Sequence, residues 1–226
     1  MFRIVFFVNS IFVLTFFFTS CSDTREKSTL PYYNTPEFTP TFIYSAEEAA
    51  RKINHTIGSF SFTNQNGMSV TEKEIEGKIH VANFIFTSCG NICPVMTKQM
   101  KLVQEKFRNN DEVIILSYSV TPWIDDVNRL KAYAEENDIT SPNWHLLTGR
   151  KSEIYHLARQ SYFAEEDIGF TKDSTEFLHT EHVLLVDQSK RIRGIYNGML
   201  QLEIKQLIQD ITELLRQAPL KGGLGK

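Results

Sequence analysis

Two thiols separated by three residues, Cys89 and Cys93, stand where an apolar run gives way to a proline-marked turn. The run, Ile79–Ser88, is rich in β-branched and aromatic residues and reads as a buried strand. Pro94 then suits the first turn of a helix. The amides and positive dipole end of such a helix favour thiolate over thiol. A spacing of four residues is about one helical turn, so both sulfurs share one face if the segment is helical. The pair could close as a disulfide or clamp a soft metal ion. Two cysteines serving as small buried apolar residues are the plainer alternative. A Cys-x-x-Cys pair would point to thioredoxin-type redox chemistry; three intervening residues leave more room for a metal.

Six histidines could add an imidazole. His55 precedes a hairpin, His80 lies within a strand, His145 alternates with Trp144 and Leu146, and His156 falls on a helix, so these four read as structural or surface groups. His179 ends a long insertion just before a late core strand, and His182 opens that strand, able to face either side. Two thiolates and one imidazole would suit Cu(I), with Cu(II) the other copper state; zinc asks for four ligands, or three and water. The thioethers of Met96 and Met100 follow the stripe of a packed helix face. Asp125 and Asp126, at the start of a second helix, read as carboxylates compensating its dipole, with Asp125 also a candidate to tune the thiol pair.

The segments Asn83–Cys89 and Cys93–Thr97 resemble the Sco/SenC family of thioredoxin-fold copper proteins. The similarity continues through Leu116–Pro122, Trp144–Gly149 and His179–Thr180 to Arg191–Gly198, spanning about residues 55–217. The resemblance implies a copper site made of Cys89, Cys93 and His179, with His182 as a reserve or supporting group. It also implies a redox-active Cys89–Cys93 disulfide, a thiol reductant of thioredoxin type, and delivery of copper to the binuclear site of cytochrome c oxidase, subunit II being the recipient. Gly90 departs from the proline common after the first cysteine, and Thr121 from the aspartate common before Pro122. The competing expectation is a thiol–disulfide oxidoreductase in which one cysteine attacks, the other resolves, and His179 is unnecessary. A copper or redox sensor is a third.

The elements that must position these groups follow along the chain. Residues 1–20 carry one cation, Arg3, no acid, and an apolar stretch from Ile4 to Phe18. That is a signal-peptide pattern, shorter than the roughly twenty residues of a membrane span. Thr19-Ser20-Cys21-Ser22 resembles a bacterial lipoprotein cleavage site with Cys21 as the lipid-bearing residue, although Phe18 replaces the usual leucine; an uncleaved anchor is the alternative. Either way the expectation is an exported, membrane-anchored protein facing the periplasm or cell exterior. Without residues 1–20 the formal charge moves from −3 to −4, from 23 basic and 27 acidic residues, and this mixed surface offers no footprint for nucleic acid.

Residues 21–54 read as a lipid-anchored leader and linker, whose prolines exclude a helix or central strand over 30–40. Its aromatics suggest an arm lying on the domain, a plain tether being the alternative. The domain itself is expected over 55–217, with a flexible tail at 218–226. It opens on a hairpin in which Phe60 and Phe62 alternate with polar residues and Asn66-Gly67 makes the turn. Helix 94–108, strand 113–120, a helix capped by Thr121-Pro122 and reaching about 136 with Val127, Leu130 and Ala134 inward, strand 144–147 and helix 152–160 follow. An insertion at 161–178, a late hairpin and a closing helix complete an α/β thioredoxin-like order, a central mixed sheet flanked by helices.

Overall fold

The computed structural model describes residues 30–164 and 181–217. Cys21, His179, residues 1–20 and the tail at 218–226 lie outside the described residues, as does most of the insertion expected at 161–178. In chain order the elements are β1 (Tyr32–Tyr33), β2 (Pro40–Thr41), α1 (Ala46–Lys52), β3 (Ser61–Asn64), β4 (Ser69–Thr71), β5 (Ile79–Ile85) and α2 (Ile92–Phe107). There follow β6 (Val113–Ser119), α3 (Val127–Glu136), β7 (Trp144–Thr148), α4 (Lys151–Gln160), β8 (His182–Val186), β9 (Ile192–Asn197) and α5 (Gln201–Gln217). Among the described residues no helix is long and apolar enough to cross a membrane.

The strands form one mixed sheet in the order β2-β1-β9-β8-β5-β6-β7-β3-β4, parallel across β5-β6-β7 and antiparallel elsewhere. Every residue of β5 and β6 is buried, which is why both read as continuous apolar runs: helices cover both faces of a parallel centre. On one face Val81, Ile85, Ile115, Leu146 and Leu185 meet α2, α3 and α5. On the other, Ala82, Phe84, Leu116, Tyr118 and Leu184 meet α4, Phe60 and Phe62. This is the thioredoxin-like arrangement, with the expected N-terminal hairpin β3–β4 added at one edge and turned by Gly67 at a φ of 74°.

Two helix boundaries differ from expectation. Helix α2 starts at Ile92, so Pro94 is its third residue, still in the turn whose N–H groups have no intrahelical acceptor. Helix α3 starts at Val127 and is capped by Asp126, whose carboxylate accepts the Arg129 N–H at 2.8 Å. Thr121-Pro122 therefore does not cap it. The Thr121 carbonyl instead closes a separate turn by accepting from the Ile124 and Asp125 amides. Val127 is only half-buried, and Tyr133 joins Leu130 and Ala134 on the inward side.

The described part of the leader is an arm and not a plain tether. β1 pairs with both β2 and β9, and α1, capped by Ser45, buries Ala49 beside Ile43 and Ile53. A bulge in the β8–β9 ladder turns Arg193 out of the alternating pattern. Its guanidinium, 5% exposed, donates to the Leu30 carbonyl at 2.7 Å and the Pro31 carbonyl at 3.0 Å, pairs with Asp187 at 3.0 Å, and lies 3.8 Å from the centre of the Tyr32 ring.

Candidate metal and thiol centre

β5 ends at Ile85, and the turn between it and α2 carries Cys89. That turn is pinned from below by a buried carboxylate. Asp125, fully buried, accepts from the Thr87 amide at 3.2 Å, the Thr87 hydroxyl at 2.6 Å, the Ser119 hydroxyl at 2.6 Å and the Thr121 hydroxyl at 2.9 Å. The Arg129 Nε–H donates to Thr87 Oγ1 at 2.9 Å, bringing a cation to the same cluster. Such an acceptor needs many donors, because a buried charge without hydrogen bonds is costly. Asp125 thus holds the turn two residues before Cys89, and the dipole-compensating role falls to Asp126 alone.

The two thiols are free and differ in setting. Cys89 is half-buried beside Ile92, and Cys93 is 5% exposed, packed into the α2 face of the core. The Cys93 amide points to Cys89 Sγ at 3.5 Å. Burial pushes the Cys89 thiol up, but the amides of Cys93, Asn91 and Ile92 and the Cys93 side chain outweigh it, leaving its pKa below the usual value. Burial pushes the Cys93 thiol up to about 12, with Cys89 and Asp125 adding to the rise and the Phe86 backbone opposing it. The two thiols therefore differ in acidity, Cys89 being the more acidic and Cys93 the one that holds its proton more firmly.

Tyr133 lies under the same turn, its hydroxyl 2.7 Å from Thr97 Oγ1. Burial raises its pKa to about 12, with Cys93, Cys89 and Asp125 contributing. Sequence reasoning singles out neither Tyr133 nor Thr87. The available signal is polar: Ser117 and Ser119 interrupt an otherwise apolar central strand and must meet buried partners. Met96 and Met100 are fully buried in the core, as their stripe requires.

The histidines separate clearly. His182 shares β8 with Val183 and Leu185, which face α2, but alternates with them; its ring meets the edge of Phe38 at 6.2 Å on the opposite face. The structure does not bring it to the cysteines. His80 is fully buried, its Nε2 3.1 Å from Tyr162 Oη, and burial lowers its pKa to about 3. His55 contacts the Ser161 carbonyl at 2.8 Å and stacks on Phe163, His145 lies 3.3 Å from Asn64 Nδ2, and His156 is exposed on α4. Among the described residues, no three His, Cys, Asp or Glu side chains form a metal-binding group. Grooves of about 720 and 730 Å³ flank α4, away from the thiols.

The family model described as SCO1/SenC matches residues 48–216. A crystal structure of a SCO1/SenC family lipoprotein from Bacillus anthracis has a TM-score of 0.63 at 30% identity, covering 73% of this chain and 98% of that one. The structure of BsSco, described as a member of the Sco family of cytochrome c oxidase assembly proteins with a disulfide switch, has a TM-score of 0.61 at 32% identity, covering 75% and 96%. Bradyrhizobium japonicum ScoI with copper bound has a TM-score of 0.56 at 26% identity, covering 70% and 99%.

Proposed function

This chain belongs to the SCO1/SenC family, and from that premise we propose that it is an exported, membrane-tethered copper chaperone serving cytochrome c oxidase. In this reading Cys89 and Cys93 grip Cu(I), His179 supplies the third ligand, and a lipid on Cys21 anchors the protein. The recipient is the binuclear copper site of oxidase subunit II, and a reductant of thioredoxin type keeps the thiols open. The observation that carries the reading is the pair of free thiols where β5 hands over to α2, Cys89 in the turn outside the helix and Cys93 in its first turn with its amide 3.5 Å from Cys89 Sγ, soft donors suited to Cu(I). The oxidase-assembly role of BsSco and the copper bound by ScoI support the same assignment.

His179 is favoured by its place in the chain. The Glu181 carbonyl accepts the Gly198 N–H at 2.7 Å, and a Cβ on Gly198 would lie 3.0 Å from Met96 Cε, one turn beyond Cys93. His179 is two residues before Glu181, a distance of about 7 Å at full extension. Transfer would proceed by ligand exchange: a recipient thiolate or imidazole takes the place of one donor at a time, so copper is never released. Metal loading requires the reduced pair, coupling cargo to redox state.

The unequal thiols also favour a second reading, a disulfide reductase with Cys89 attacking and Cys93 resolving. Replacing His179 by Ala separates the two. The chaperone reading expects that reduced variant to lose Cu(I) to a competing chelator far more readily than the parent, while disulfide reduction persists. Unchanged copper retention removes His179 from the site.

A further inference from the structure

Exposed apolar side chains gather at the end of the sheet that carries the thiols. β6 runs parallel to β5 with Ser119 beside Ile85, so the turns that follow the two strands stand together. The Asp125 carboxylate accepts the Thr87 hydroxyl across them at 2.6 Å, which sets Trp123 and Ile124 beside the Cys89 turn. Trp123 is 58% exposed and Ile124 48%, and the Lys151 ammonium lies 4.8 Å from the centre of the indole. On the other side β9 ends at Asn197, which pairs with His182, one step past the Val183–Asn83 pair. The chain turns there into α5 and exposes Leu200 at 51% and Leu202 at 79%. A Cβ on Gly198 would lie 3.0 Å from Met96 Cε, so this turn meets the start of α2. Val95 is 37% exposed there, two residues after Cys93.

Together these five exposed portions come to on the order of 500 Å², the scale of a patch that marks an interaction site. Each member of a stable pair buries roughly 800 Å², so the patch suits a partner that docks and leaves. Its charges balance: residues 86–98, 120–130, 148–153, 181–182 and 197–205 hold five Lys or Arg and five Asp or Glu. Charge therefore selects neither an acidic protein nor anionic lipid. A neutral apolar surface is matched by another of its kind, and ligand exchange at Cys89 requires that match to carry metal ligands at its centre.

We propose that Trp123, Ile124, Leu200 and Leu202, with Val95, form the docking surface for a folded copper acceptor whose own thiolate or imidazole ligands stand in an apolar surface. The proposal rests on the reading of this chain as a copper chaperone. The sequence has two tryptophans, exposed Trp123 and buried Trp144, so fluorotryptophan labels the surface and the core separately. The mature chain labelled in this way, in phosphatidylcholine nanodiscs, is titrated with the apo soluble copper domain of oxidase subunit II. The Trp123 fluorine resonance should move and that of Trp144 should not, with equal affinity at low and high salt. Leu202→Ser should weaken binding about tenfold, the loss of one buried leucine. Met68→Ser, in the hairpin turn at the opposite end of the sheet, should bind as the parent does. Copper passing to the domain with Trp123 unmoved overturns the docking surface and leaves the chaperone reading. No shift from a chain that also fails to retain Cu(I) overturns both. An unweakened Leu202→Ser overturns the joint surface. A Trp123 shift that grows with the chain's own concentration assigns the patch to a second copy, and broadening by nitroxide-headgroup lipid assigns it to a bilayer; either overturns the proposal.

Discussion

Replacing Asp125 by Asn keeps the volume of the side chain and removes its charge. The wild-type carboxylate takes four donors: Oδ1 accepts the Thr87 hydroxyl, and Oδ2 accepts the Thr87 amide and the Ser119 and Thr121 hydroxyls. The best placement of the substituted amide keeps its oxygen at the crowded Oδ2 position and turns its NH2 toward Thr87 Oγ1. Thr87 Oγ1 then receives hydrogens from both that NH2 and Arg129 and loses its own acceptor. One bond is reversed and three lose their charge assistance. At about 0.5–1.5 kcal/mol for a neutral bond against about 1.5–3 for a charged one, the loss is about 2–4 kcal/mol. Urea unfolding followed by the buried Trp144 should show the midpoint falling by about 1–2 M with an unchanged slope. The same change should loosen the Phe86–Asn91 turn that aims amides at Cys89 Sγ. Its alkylation-versus-pH curve should therefore move to higher pH. A variant whose stability stays within about 0.5 kcal/mol of the parent, with the curve unmoved, refutes the claim that this carboxylate positions the turn.

Two further outcomes follow from the proton affinities. In the reduced protein near neutral pH, iodoacetamide should modify Cys89 well before Cys93, and Cys89→Ser should leave a slowly reacting thiol; mass spectrometry of the labelled peptide reads the order. His80, lowered from 6.5 to about 3 in the fold, should weaken the protein in acid. The unfolded chain binds that proton below 6.5 and the folded chain does not, so stability is complete above 6.5 and falls toward pH 3, by about 1.4 kcal/mol per unit from this group. His80→Gln should flatten that slope in urea titrations at stepped pH, and an unaltered slope would assign the acid sensitivity elsewhere.

Much of this protein is local and therefore legible in order along the chain. The buried runs at 79–85 and 113–119, the Met96-Met100-Val103-Phe107 stripe and the Asn66-Gly67 turn each declare themselves through neighbours a few residues away. The thiol pair is of the same kind, a matter of spacing at a strand-to-helix junction. What the chain alone left open involves partners remote in sequence. Thr87 meets Asp125 across 38 residues, and Arg193 reaches Leu30 across 163. The side of the sheet to which His182 turns follows from strand register, and the division of proton affinity between Cys89 and Cys93 follows from which sulfur the core covers. Periodicity records that a side chain is turned inward. Only packing determines which distant group it meets there and how much water remains between them, and those two quantities set charge, acidity and reach.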